Sequence, residues 1–191
     1  MRFQHTLLFI FFSISIAMSQ SKDLPYSEIP EYPESYTAGT VAARVIDGLG
    51  FRYYWATEGL TEADLAYKPS EEARTSEQTI DHILSLTLTI VNAAESKKNT
   101  FPDWGEYTFE QKRKMTLGNI RKASEIVLKG SDKDMENYRV IFDQSEYPFW
   151  NMLNGPISDA LWHVGQVVTF RRSSGNPLPS GVSVLRGTRR E

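Results

Sequence analysis

No cysteine occurs anywhere in the 191 residues. That excludes disulfide cross-links, a thiol nucleophile, a cysteine-ligated metal and a lipid-modified N-terminal cysteine, so the fold rests on its core alone. An excess of basic charge is missing as well: 21 Lys and Arg stand against 24 Asp and Glu, a formal net charge of −3. Such mild acidity gives no electrostatic reason to expect nucleic acid or an anionic membrane as a partner. Histidine is scarce, limited to His5, His82 and His163. There is no internal repeat, no glycine-rich phosphate loop and no nucleophile elbow, and few stretches alternate as strands do. After the first 19 residues no apolar run approaches the roughly 18 to 20 residues that a membrane-spanning helix requires.

What is present begins with an export signal. Met1 to His5 carries the positive charge of Arg2, Thr6 to Ala17 is almost wholly apolar, and Ala17-Met18-Ser19 offers small residues where a signal peptidase reads. Residues 1–19 are therefore expected to be a cleaved secretory signal, leaving a periplasmic or extracellular protein with no stable membrane insertion. Cleavage removes His5, so His82 and His163 become the only histidines available for chemistry. Residues 20–39, with Pro25, Pro30 and Pro33 among tyrosines, lack periodicity and read as an extended leader, either a mobile tail or a strap across the domain.

From Thr40 to Leu60 the residues Ala42, Val45, Ile46, Leu49, Tyr53 and Ala56 recur at helical steps and predict a first helix, with Phe51, Tyr53, Tyr54 and Trp55 in the core. A short helical turn follows at 61–65, ended by Pro69. Thr75 and Gln78 form a capping-box pattern that opens a second helix, Ser76 to about Glu95, with its buried stripe at Ile80, Ile83, Leu84, Thr87, Leu88 and Val91. His82 falls off the centre of that stripe, where a histidine is ordinarily structural or exposed. Thr108 and Gln111 repeat the cap for a third helix, Phe109 to Lys129, ending at Gly130. Its basic start, Lys112 to Lys114, reads as a solvated face, and its thin stripe predicts an outer position. Tyr138 to Phe142 reads as a short extended segment. Tyr147-Pro148-Phe149-Trp150 adds aromatic bulk, either as core or as the wall of a pocket.

The last helix is the most informative. It runs from Asn154 to Gly175, with Pro156 at its first position and Gly175 and Pro177 as its stop. Ile157, Ala160, Leu161, Val164 and Val168 give it an apolar stripe. Asp159 and His163, four residues apart, share another face that Gln166 continues. Such a face is either simply wet or turned into a pocket as a metal or substrate site. Four long helices with almost no strand predict an all-α four-helix bundle over 40–177, followed by a tail at 178–191.

One histidine early in the second helix (Thr79-Ile80-Asp81-His82-Ile83), the late motif Asp159-Ala160-Leu161-Trp162-His163-Val164-Gly165-Gln166 and the linker Leu60 to Ser70 together resemble the DinB-like superfamily, which includes bacillithiol and mycothiol transferases and predicted metalloenzymes. The resemblance spans roughly residues 40–177. It implies a DinB-like four-helix bundle holding a divalent metal ion (zinc, nickel, manganese or iron) on three side chains. Position by position these are His82, Asp159 and His163, with Asp159 standing where the family has its middle histidine. A carboxylate there completes a two-histidine, one-carboxylate set, or marks a member that has lost its metal. The implied function is a metal-dependent hydrolase or thiol transferase acting on a small molecule. The alternative is a non-catalytic exported module that binds a small ligand or a metal, and self-association into a homodimer stays open.

Overall fold

The computed structural model describes residues 24–190, and the expected signal segment 1–19 lies outside them. The chain folds into α1 (Ala38–Thr57), α2 (Glu62–Ala66), α3 (Ser76–Ala94), α4 (Phe109–Lys129), α5 (Asp132–Asn137), β1 (Arg139–Ile141), β2 (Glu146–Pro148), α6 (Phe149–Met152), α7 (Ser158–Ser173), β3 (Val182–Ser183) and β4 (Thr188–Arg189). The four long helices α1, α3, α4 and α7 form the bundle, and the strands make two small antiparallel hairpins. No helix among the described residues is long and apolar enough to cross a membrane.

Helix starts follow from local chemistry. The first five helices each open on a capping box, pairing Thr37 with Thr40, Thr61 with Asp64, Thr75 with Gln78, Thr108 with Gln111 and Ser131 with Asp134. Each box satisfies backbone N–H groups that the first turn leaves free. Between the helices lies a core of Ile46, Leu49, Phe51, Tyr53, Ile80, Ile83, Leu84, Ile90, Leu117 and Ile120, all fully buried. The predicted aromatics of α1 are in that core. Val45, predicted for the same stripe, instead stays 42% exposed.

Helix α4 corrects two expectations. It is no outer helix, since it packs along both α1 and α3. Nor is its basic start wholly solvated: Lys114 is exposed, but Lys112 and Arg113 are buried. Lys112 Nζ lies 3.0 Å from Glu77 and 2.8 Å from Asp81, both on α3. Arg113 pairs with Glu58 at 2.6 Å, donates to Thr57 Oγ1 at 2.9 Å and to the Tyr54 carbonyl at 3.2 Å, and stacks over the Tyr54 ring. The carboxylates and carbonyls offset the cost of taking both cations out of water. These cations fasten α4 to its two neighbours.

Helix α7 differs from expectation at its start. The helical path begins at Phe149 and passes through a π-helical turn, Leu153–Ile157, before α7. Gly155 leaves helical geometry there (φ −94°, ψ −106°) and Pro156 follows it. A residue before proline is sterically excluded from the helical region, and glycine gives way most easily. Pro156 therefore sits at a kink rather than at a free helix start. The predicted stop holds: Gly175 takes φ +95°, its N–H bonds the Arg172 carbonyl and the Asn176 N–H bonds that of Arg171.

Residues 24–37 cross the bundle as a strap. Tyr26 is buried with its hydroxyl 2.8 Å from Asp47, Ser27 accepts from Trp55 Nε1, and Pro30 accepts from Arg44. The residues read as a tail are folded instead into the β3–β4 hairpin, which is stitched to the strap by Ile29 N–H to Gly187 O at 2.8 Å and set against Trp55 through Arg189.

Candidate metal centre

Helices α3 and α7 lie side by side in the bundle. His82 stands on α3, and Asp159 and His163 stand one turn apart on α7. The three side chains converge, and one donor atom from each lies within 4.8 Å of the others. Asp159 bridges the pair: Oδ2 is 3.4 Å from His82 Nε2, and Oδ1 is 3.3 Å from His163 Nε2. Both separations exceed the roughly 2.7–2.9 Å of a charge-assisted hydrogen bond. The rings meet edge to face, with centroids 4.6 Å apart. His163 is the deepest of the three at 15% exposure, while His82 and Asp159 at 33% and 42% open the site to solvent.

The surroundings prepare the imidazoles. Burial pushes the His82 pKa down, and the neighbouring charges of His163 and Arg74 add to this against the opposing pull of Asp159. His82 is accordingly held towards its neutral form, which carries the lone pair that a metal needs. His163 Nδ1 lies 2.7 Å from Gln166 Oε1. With the carboxamide oxygen accepting, Nδ1 carries the hydrogen, and in the singly protonated ring Nε2 keeps a lone pair on the side of Asp159. Behind His82, Lys112 grips Asp81, and Trp104 Nε1 donates to Ser85 Oγ at 2.7 Å. These contacts fix the turns of α3 on either side of it.

Composition alone does not mark Arg171 as a structural residue. It is 2% exposed and donates from Nη1 to the carbonyls of Trp55, Ala56 and Glu58 at 3.0–3.1 Å. A cation at the C-terminal end of α1 also complements that helix's dipole. The contact ties α7, and with it Asp159 and His163, to α1. Periodicity held a signal for it, because the buried line Ile157, Ala160, Val164, Val167 and Arg171 advances by alternating steps of three and four. The aromatics before α7 do not form the wall of this site. Phe149 packs in the core against Tyr138, and Trp150 lines a cleft over α1 whose lining contains none of the three converging residues.

Fold and site together define a helical bundle that gathers two histidines and one aspartate between two of its helices. The bundle is similar to the crystal structure of a DinB-like protein, YjoA, from Bacillus subtilis, with a TM-score of 0.52 at 14% sequence identity, covering 71% of this chain and 95% of that one. The fold is thus DinB-like, as the sequence motifs implied. No protein-family model and no curated protein matches the chain.

Proposed function

We propose that His82, Asp159 and His163 hold a divalent metal ion and that the protein is an exported, metal-dependent enzyme of hydrolase or thiol-transferase type acting on a small molecule. The observation that carries this reading is the spacing of the donors. One donor atom from each of the three lies within 4.8 Å of the others, close enough for small side-chain adjustments to bring all three onto one ion at about 2.0–2.1 Å, and Asp159 faces His82 through Oδ2 at 3.4 Å and His163 through Oδ1 at 3.3 Å. Two imidazoles with one carboxylate suit zinc, nickel, manganese or iron. A bound ion would supply a Lewis acid that acidifies water or polarises a substrate oxygen or sulfur.

The chain's own groups have separable roles in this proposal. His82 and His163 offer ring nitrogens, Asp159 supplies the negative charge, and Gln166 holds the His163 ring in the tautomer that leaves Nε2 free. The exposure of His82 and Asp159 leaves an approach for substrate from solvent. Export favours hydrolysis over thiol transfer, since low-molecular-weight thiols are mainly cytosolic.

A second reading rests on Asp159 itself: a carboxylate between two histidines can persist as an ion-pair cluster in a metal-free module that only binds a ligand. Elemental analysis of the purified protein beside Asp159→Ala and His163→Ala separates the two. The metal reading requires stoichiometric metal in the parent and its loss in both variants. Metal in all three, or in none, refutes it.

A further inference from the structure

A second concavity lies away from the candidate metal centre. It is an open cleft of about 970 Å³ between the end of the strap, the outer face of α1, α5 and the turn around α6. That volume falls in the range of sites for drug-sized molecules, about 300–1,000 Å³. Its floor is apolar: Val41 and Val45, one turn apart on α1, are 51% and 42% exposed, and Met135 and Leu153 complete the surface. Two aromatic side chains stand in its lining with their faces largely free, Tyr36 at 97% exposure and Trp150 at 75%.

The charges in this lining are unbalanced. Arg139 is already committed, with Nε 3.3 Å from Glu146 and Nη1 donating to the carbonyls of Tyr138 and Glu136. Asp132 and Glu136, four residues apart and so on one face of α5, line the cleft and form no ion pair among the described residues. Two uncompensated carboxylates beside exposed aromatic rings attract a cation through both charge and ring quadrupole. An apolar floor of this extent favours a ligand that also has apolar surface to bury.

We propose that this cleft binds a small organic cation with an apolar body. Its ammonium group sits between the Asp132 and Glu136 carboxylates and the rings of Tyr36 and Trp150, and its apolar part covers Val41, Val45, Met135 and Leu153. A second copy of the chain fits the face less well. A stable homodimer needs on the order of 800 Å² per partner, and a two-fold contact through this face would turn the free carboxylates of one copy towards those of the other.

The test is calorimetric titration of the purified mature protein with benzyltrimethylammonium, benzyl alcohol and phenylacetate at low ionic strength. The cation is expected to bind with a Kd below about 1 mM and phenylacetate at least about tenfold more weakly. The double variant Asp132→Asn/Glu136→Gln should weaken cation binding about tenfold and leave benzyl alcohol unchanged. Trp150→Ala should weaken it about three- to fivefold. All three positions are exposed, and unchanged circular dichroism and Tm show that the variants remain folded. His163→Ala should bind the cation as the parent does, which separates this site from the metal reading. Equal binding of cation and phenylacetate overturns the proposal, as does full cation binding by the double variant. A concentration-dependent dimer that blocks the cation overturns it in favour of self-association.

Discussion

Replacing Gln166 tests whether the carboxamide selects the metal-binding form of His163. The contact is 2.7 Å long and the histidine side chain is only 15% exposed, so solvent replaces a lost acceptor poorly. In Gln166→Leu the Nδ1 hydrogen loses a partner worth about 1–1.5 kcal/mol, and the competing tautomer places a hydrogen on the nitrogen proposed to bind metal. Loss of such an orienting partner typically lowers metal affinity about 10- to 100-fold, or about 1.4–2.7 kcal/mol. Gln166→Glu keeps an acceptor at the same distance and adds negative charge, so it should retain or tighten affinity. Metal affinity is read by competition against a chromophoric chelator at pH 7.5, and metal-free stability by thermal unfolding. Gln166 is half-buried at the helix surface, so the metal-free Tm should change little in either variant. Equal zinc affinities for the parent, Gln166→Leu and Gln166→Glu would refute the reasoning.

Arg171→Met keeps the apolar stem but strands three carbonyls at the end of α1; it should cost about 3–5 kcal/mol in urea unfolding, against less than about 0.5 for exposed Arg172→Met. Asp64 sits in a pocket whose burial raises its pKa, but hydrogen bonds from Ser174, Asn176 and Thr61 outweigh this and hold the carboxyl well below its usual range. Its depressed pKa adds stability above the ordinary aspartate value near 4, and that stability is lost as pH falls through the folded value. Asp64→Asn should therefore be destabilised at pH 7, with the gap to the parent narrowing towards pH 3; a constant gap in urea midpoints argues against this. Gly50→Ala places a Cβ 2.5 Å from the Tyr26 ring, which should cost about 1–3 kcal/mol and expose residues 24–37 to limited proteolysis.

The sequence made the local features legible because their causes are local. Capping boxes at Thr75 and Thr108 place the starts of α3 and α4, and Gly175 marks the end of α7, since each signal is confined to a few residues. The buried cations were lost for the opposite reason. Whether Lys112, Arg113 or Arg171 is solvated depends on Glu77, Glu58 and the carbonyls at the end of α1, which lie far away along the chain. Composition alone makes a basic residue look exposed. The Gly155–Pro156 kink escapes the sequence on similar grounds, because proline suits a first helical turn and a kink equally well, and only the α6 turn packed before it decides.

The candidate centre was legible as three residues but not as an electrostatic arrangement. If Gln166 accepts from Nδ1 of His163, then Nε2 turns a lone pair towards Oδ1 of Asp159 at 3.3 Å. A lone pair facing a carboxylate oxygen is repulsive unless positive charge stands between them. A second proton on His163 would serve, as would a metal ion; rotation of the Gln166 amide would serve only by giving the ring the other tautomer. The same carboxylate faces His82 Nε2 through its other oxygen at 3.4 Å, a contact that a hydrogen on Nε2 of the neutral ring satisfies as well as a cation does. An aspartate at the position where the sequence resemblance implies a histidine therefore does not by itself argue for loss of metal. It raises the negative charge of the donor set and so strengthens the electrostatic demand for a cation at that point.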